Sequence, residues 1–242
     1  MHSSEIRLVK LTMVSTTNKL TSPRESGHPL IYLPRKSTRE VRRGNVIYDP
    51  ERPSNGIHLV IRGRVKVCRR AGERSSIVME IYSANEFFGE SSLVEPNSPT
   101  EIAVALENTS LMSWTAEEIE KQVERQPEMG LAFIQMLARR LLDYEARIES
   151  LNREKCRERI IRGLLRFAHR LGEPSDAGAV RIPPLSQQTI SEYVGTSREI
   201  VTLHMNQLRQ QGAMRYSRKG IEVYPDALNR CLQQQAAREA GG

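Results

Sequence analysis

Ser186-Gln187-Gln188-Thr189-Ile190-Ser191-Glu192-Tyr193-Val194-Gly195-Thr196-Ser197-Arg198-Glu199-Ile200-Val201 is the stretch on which the reading of this chain turns. Ser186 can accept a hydrogen bond from a free amide in the first turn of a helix, so a short helix starts there and runs to Val194. Gly195 then permits the left-handed backbone that a sharp turn requires. A second helix restarts with Thr196 as cap and Glu199 three residues on, the spacing of a capping box. Val201, His204, Met205 and Leu208 recur at helical spacing and form its apolar face, which leaves Arg198, Thr202, Asn206 and Arg209 on the opposite side. Two helices joined this way form a helix-turn-helix. Gly212 ends the second helix, and Met214 to Val223 alternates around Arg218-Lys219-Gly220 as a basic β-hairpin, the wing of a winged helix.

Charge supports this reading. The 242 residues carry 36 Lys or Arg and 29 Asp or Glu, a surplus of seven. Residues 153–220 hold 13 of the bases and 6 of the acids, so the whole surplus lies in the block containing the helix-turn-helix. Clustered Lys and Arg release counterions on meeting phosphates, which points to a polyanion, although charge alone leaves a merely solvated basic surface equally open. On a recognition helix Arg198 can give guanine a bidentate pair of hydrogen bonds. Ser197 lies beside it at the helix start. Glu199 suits either cytosine N4 or the capping box. Thr202, Asn206 and Arg209 are base or phosphate contacts further along the exposed face, and Arg215, Arg218 and Lys219 suit phosphates. His204 reads as a packed or interfacial histidine rather than a ligand.

Upstream, Ile134, Leu137, Leu141, Tyr144, Ile148 and Leu151 recur in steps of three and four, a heptad seam flanked by Arg139, Arg140, Asp143, Glu145, Arg147 and Glu149. So narrow an apolar stripe predicts a helix paired with a second copy of itself; the alternative, a helix packed only on its own barrel, usually shows a broader stripe. Asn152 to Glu154 read as the hinge. A wider amphipathic helix follows, with Ile160, Ile161, Leu164, Leu165, Ala168 and Leu171 on one face and Gly172 as its stop. Glu173 to Pro184 reads as a loop or short hairpin.

Between Thr38 and Thr115 the text changes to short β-type runs punctuated by glycine: Val46 to Tyr48, His58 to Ile61, Val65 to Val67, Ile77 to Ile81, Ile102 to Leu106 and Leu111 to Trp114. This spacing describes a small antiparallel barrel or sandwich. Thr115 caps a helix that Pro127 interrupts. Residues 1–28 are rich in Ser, Thr and charge and read as a mobile arm.

Cys68, Cys156 and Cys231 are far apart and form no CxxC pair, which argues against a disulfide framework, a structural zinc or an all-cysteine cluster and fits a reducing cytoplasm. No run approaches the ~18 apolar residues of a membrane span. G-x-S-x-G, H-E-x-x-H, P-loop and G-x-G-x-x-G signatures are absent, so no catalytic, metal or cofactor residues are expected.

Phe88-Gly89-Glu90-Ser91 after the strands, Ala138-Arg139-Arg140-Leu141 in the long helix, and Gly195 to Val201 followed by Asn206-Gln207-Leu208 resemble the bacterial family of the cyclic-AMP receptor protein and the fumarate–nitrate reduction regulator. The resemblance spans roughly Ile31 to Leu228. It implies an α+β chain: an N-terminal cyclic-nucleotide-binding-like β-roll (29–127), a long dimerisation helix (128–152), a C-terminal winged helix-turn-helix (153–230) and a tail (231–242). It further implies a homodimeric transcription regulator on palindromic double-stranded DNA, with RNA polymerase as a further partner.

The effector pocket implied by Gly89, Glu90 and Ser91 departs from the family pattern. Cyclic-nucleotide binders of the family carry an arginine about ten residues after the Gly-Glu, where this chain has Thr100 or Glu101, and a carboxylate repels the cyclic phosphate. The base-contacting Thr-Ser pair is replaced by Tyr144-Glu145. Arg69, Arg70 and Arg74 are expected at a hairpin tip, in water. The cysteine cluster that would hold an iron–sulfur centre is missing, and His58 is the one weak candidate for a haem ligand beside Cys68. Leu203 stands where many relatives carry a base-reading arginine, so the DNA half-site should differ. The competing reading is a cyclic-nucleotide-sensing module acting through a protein partner.

Overall fold

The computed structural model describes residues 28–72, 76–94, 100–217 and 219–240. The expected arm (apart from His28), Arg74 and Arg218 lie outside the described residues. The N-terminal half is a β-roll of strands β1 (Arg39–Val41), β2 (Val46–Tyr48), β3 (Gly56–Arg62), β4 (Val65–Arg70), β5 (Ser76–Tyr82), β6 (Phe87–Phe88), β7 (Glu101–Ala105) and β8 (Thr109–Thr115). They form two four-stranded antiparallel sheets, ordered β1-β8-β3-β6 and β2-β7-β4-β5. Val60 and Leu111 of one sheet share a core with Val65, Val67 and Ala103 of the other. Gly63 turns β3 into β4 at φ +91°, and a Cβ there would meet Thr109 Oγ1 at 2.5 Å, so only glycine fits this link.

Thr115 and Glu118 form a capping box at the start of α1 (Ala116–Arg125), and Pro127 opens α2 (Pro127–Arg153). At ~1.5 Å per residue α2 is about 40 Å long. Only its first turns, Met129, Ala132 and Phe133, are buried, against Trp114 and Phe87 of the roll. The helix continues two residues, Asn152 and Arg153, into the expected hinge, and the break falls at Glu154 and Lys155 before α3 (Cys156–Leu171).

The C-terminal half adds β9 (Glu173–Pro174), β10 (Val180–Ile182), α4 (Gln187–Val194), α5 (Arg198–Gln210), β11 (Met214–Ser217), β12 (Gly220–Val223) and α6 (Pro225–Ala240). Its sheet runs β11-β12-β10-β9. Residues 231–240, expected as a tail, continue α6. Pro225 sets the first turn of that helix and Leu228 is fully buried, and past residue 230 Cys231 and Leu232 still pack on the same core. Ile160, Leu164 and Phe167 of α3 meet Ile190, Val201, Met205 and Leu208 in one core. Burial of each such side chain contributes about 1.5–3 kcal/mol.

That core does not stop at the winged domain, because Val78 and Ile81 of β5 belong to it. Around this junction lies a network of ion pairs. Glu80, 5% exposed, takes Arg166 at 3.1 Å and also pairs with Arg170, which reaches Glu86 at 2.6 Å. Lys66 of β4 bridges to Glu192 of α4 at 3.2 Å.

Candidate nucleic-acid interface and effector pocket

The turn between α4 and α5 forms as its residues dictate. Ser186 caps α4 by accepting from the Thr189 amide, and Gly195 adopts φ +68°. Thr196 is not the cap of α5. Its amide closes back on the Ser191 carbonyl at 3.1 Å and its hydroxyl lies 3.5 Å from Cys156 Sγ, so it completes the exit of α4. Ser197 caps α5 instead, with Oγ accepting from the Ile200 amide at 3.3 Å. Hydrogen bonds from its own backbone amide and from the Ser197 hydroxyl hold the Glu199 carboxyl below the usual carboxylate range.

Val201, Met205 and Leu208 are buried and His204 is half-buried beside Gln207, so the opposite face of α5 looks outward. Ser197, Arg198, Glu199, Leu203 and Arg209 are exposed, and Thr202 and Asn206 are half-exposed. Arg198 makes no salt bridge to a described residue, which leaves its guanidinium for a ligand. The Thr202 hydroxyl lies 2.5 Å from Gln187 Oε1 and 2.8 Å from the Arg198 carbonyl, so its proton is already engaged. On the wing Lys219 is exposed. Arg215 is less available than its sequence position suggests: across the strand pair it bonds to buried Glu222, which Arg181 also reaches at 3.1 Å. The Arg215 hydrogen bond is the largest cause holding Glu222 below the usual carboxylate range.

In the roll, Gly89 has φ +86° and Glu90 is bonded to Arg140 of α2 at 2.7 Å. The same guanidinium donates to the Phe87 carbonyl and lies 4.9 Å over the Tyr82 ring. Ser91 donates to Glu101 at 2.7 Å, and Arg69 pairs with Glu101 at 3.0 Å. Arg69 is therefore not a free cation in water as expected, because the β4–β7 register sets it directly across from Glu101. Arg70 and Thr100 are exposed. Tyr48, His58, Phe88 and Tyr82 pack ring against ring at 5.1–6.1 Å between centroids. Both His58 nitrogens are occupied, Nδ1 by Ser113 Oγ at 2.6 Å and Nε2 by Ser54 Oγ at 2.8 Å, which leaves neither for a haem. Burial, with Arg39 a smaller cause, lowers the His58 pKa to about 4.

On α2 the exposed apolar row is rotated from the expected seam. Ile134, Leu141 and Ile148 are 57–64% exposed, and Leu131 and Leu142 flank them at 57% and 65%. Leu137 and Leu151 are only 38% and 39% exposed, and Tyr144 turns toward Tyr82 of the roll. The inward face carries residues that the sequence reading assigns only to charged flanks. Arg140 and Arg147 share it at a spacing of seven, and that spacing is the signal that they face one surface together.

Among the described residues no three His, Cys, Asp or Glu side chains cluster as a metal site, and no helix is long and apolar enough to cross a membrane.

Known proteins align with both halves. A family model described as a cyclic nucleotide-binding domain matches residues 38–126, and one described as a Crp-like helix-turn-helix domain matches residues 158–231. The Global nitrogen regulator of Synechocystis is 30% identical over 191 residues, 77% of this chain and 84% of its own length. A CRP-like cAMP-activated global transcriptional regulator of Mycobacterium tuberculosis is 27% identical over 182 residues, 75% of this chain and 81% of its own. FixK2 from Bradyrhizobium japonicum shares the fold at a TM-score of 0.68 and 22% identity, covering 80% of this chain and 96% of that one.

Proposed function

Since the chain belongs to the Crp/Fnr family and is a DNA-binding transcription regulator, we propose that it acts in the cytoplasm as a homodimer on a palindromic site, with no catalytic activity and no control by cyclic AMP. The observation that carries the dimer is the exposed row Ile134, Leu141 and Ile148, flanked by Leu131 and Leu142. Such a row on a long helix favours a second copy of the same helix, and the resulting two-fold axis relates two recognition helices. Each α5 would then enter a major groove with Ser197, Arg198 and Glu199 foremost. Arg198 takes guanine, Leu203 touches a thymine methyl, and Thr202, Asn206 and Arg209 contact the groove wall or bases behind them. Lys219 and Arg218 hold phosphates, with Arg215 bracing the wing through Glu222. RNA polymerase is the further partner that such a regulator engages.

The roll supports independence from cyclic nucleotides on charge and space. By position in the sequence Glu101 or Thr100 stands where the family's arginine meets the cyclic phosphate, and Arg69, the cation paired with Glu101 among the described residues, is thereby already engaged. One Glu90 oxygen is bound to Arg140, and the rings of Tyr48, His58, Phe88 and Tyr82 pack on one another in the same roll.

Selection of bound genomic fragments, followed by DNA affinity across a salt series, tests the reading. A recurring palindrome and a log–log salt slope of several units are expected. Binding without sequence preference would overturn it. Calorimetry with cyclic AMP or cyclic GMP should give no heat and no change in DNA affinity, and micromolar binding coupled to tighter DNA binding would refute the cyclic-nucleotide independence.

A further inference from the structure

A cleft of about 240 Å³ lies at the junction of α2, α3 and α4, apart from both the recognition face and the roll interior. Arg147, Arg159, Arg162 and Arg166 line it, and among the described residues no carboxylate side chain does. Leu151, Leu165, Val194 and Tyr193 give it an apolar floor. It is smaller than the ~300–1,000 Å³ of drug-sized pockets, so its occupant is small.

Two of the cations form no salt bridge to a described carboxylate. Arg147 donates to the carbonyls of Val78 at 2.7 Å, Met79 at 2.8 Å and Tyr193 at 2.6 Å, and lies 4.2 Å over the Tyr193 ring. Burial lowers the pKa of this guanidinium, as expected for a desolvated cation short of counter-charge. Arg159 reaches the carbonyls of Gly195 at 3.0 Å, Glu154 at 3.4 Å and Leu151 at 3.5 Å, and Cys156 Sγ at 3.5 Å. The other two have their charge paired: Arg166 with Glu80 and Asp143, Arg162 with Glu154.

An independent observation marks the same place. The buried Nε atoms of Arg147, Arg159 and Arg166 and the buried hydroxyl of Tyr193 hydrogen-bond to no described group. All four belong to residues lining this cleft. An unpaired buried donor costs about 1–3 kcal/mol, so a side-chain shift that turns these shielded groups toward the cleft is favoured once an occupant supplies acceptors.

We propose that this cleft binds a small organic anion, with a carboxylate or phosphate between Arg147 and Arg159 and an apolar body against Leu151, Leu165 and Val194. Arg147 and Arg159 also hold the carbonyls of Tyr193 and Gly195, the exit of α4 that sets the direction of α5. An anion that draws on these guanidiniums changes their grip on that turn, and so couples to DNA affinity. The coupling rests on the proposed reading of the chain as a dimeric regulator, whereas the binding does not.

Calorimetry on the full chain uses benzoate, phenyl phosphate and inorganic phosphate as probes. Saturable binding of benzoate or phenyl phosphate is expected in the high-micromolar to millimolar range, as suits about ten heavy atoms. Inorganic phosphate should bind at least about tenfold more weakly, because it lacks the apolar body. Ala146→Phe fills the cleft from the exposed side of α2 without removing a hydrogen bond, and should abolish binding at an unchanged Tm. Arg159→Gln should weaken binding about tenfold or more. No saturable heat from any probe, equal affinity for inorganic phosphate, or binding that survives Ala146→Phe would each overturn the site. Binding by the wild type with unchanged affinity for its selected DNA would refute the coupling alone.

Discussion

Acidification should destabilise the roll through one histidine, and the size of the effect follows from its surroundings. Ser54 Oγ donates to the Gly56 carbonyl at 2.7 Å, so it accepts from His58 Nε2–H, and Ser113 is left to donate to Nδ1. The network thus holds the neutral ring in one tautomer, between Tyr48 and Phe88. Its pKa falls from 6.5 to about 4, chiefly through burial. Because the folded value is depressed, the unfolded chain takes up the proton first. The contribution is intact above pH 6.5, is lost progressively as pH falls through the window, and is fully lost below about 4. Between about pH 7 and pH 5 the loss is about 2 kcal/mol, because each pH unit travelled below the unfolded value costs about 1.36 kcal/mol. Urea unfolding of the wild type and His58→Gln across this range isolates the histidine's contribution from carboxylates that titrate nearby. The variant should lack about 2 kcal/mol of the wild-type loss. Parallel curves, or a His58 resonance titrating near its ordinary value, would refute the reasoning.

Arg198→Ala should cost about 1–3 kcal/mol on the selected site and little on random DNA, read by fluorescence anisotropy; equal losses on both would remove its base-reading role. Lys219→Ala should weaken all sequences alike and lower the salt slope by about one, and a changed base preference would contradict this. Leu141→Glu with Ile148→Glu should sediment as a monomer, since carboxylates would be buried at the seam; a persisting dimer would place the contact elsewhere. Glu80→Gln should destabilise the chain by about 3–5 kcal/mol in denaturant unfolding, because Arg166 and Arg170 lose a buried partner, and a loss under about 1 kcal/mol would show that Asp143 and Glu86, with solvent, satisfy those arginines without it.

Local signals make the winged half legible. Ser186, Gly195 and Gly212 act within a few residues of themselves, so the helices and the turn can be read from the chain directly. The cap of α5 falls one residue beyond its expected place because Thr196 and Ser197 are both competent caps in isolation. What decides between them is the Ser191 carbonyl, which draws Thr196 into the end of α4. Non-local pairings are harder to read. Nothing near Arg69 announces Glu101, 32 positions away, and the pair exists because β4 and β7 are neighbours in register. The two-residue strand β6 is too short for any alternation to show. The C-terminal helix reads as a tail because its apolar positions are sparse, and its place depends on α3.

The heptad repeat of α2 carries more than one meaning. Ile134, Leu141 and Ile148 repeat every seven residues outward, while Arg140 and Arg147 repeat at the same interval one position earlier, about 100° round the helix. A stripe reading sees the first series and assigns the second to solvent. Yet Arg140 binds Glu90 and the Phe87 carbonyl in the roll, and Arg147, about 10 Å further along, binds β5 and the Tyr193 carbonyl of α4. The inner face of one helix therefore touches the Phe87–Glu90 loop, β5 and the first helix of the DNA-reading pair. If a second copy packs on its outer face as proposed, a rotation of α2 that improves that packing would move both guanidiniums, so dimer geometry and the orientation of α5 would be set by the same side-chain rows.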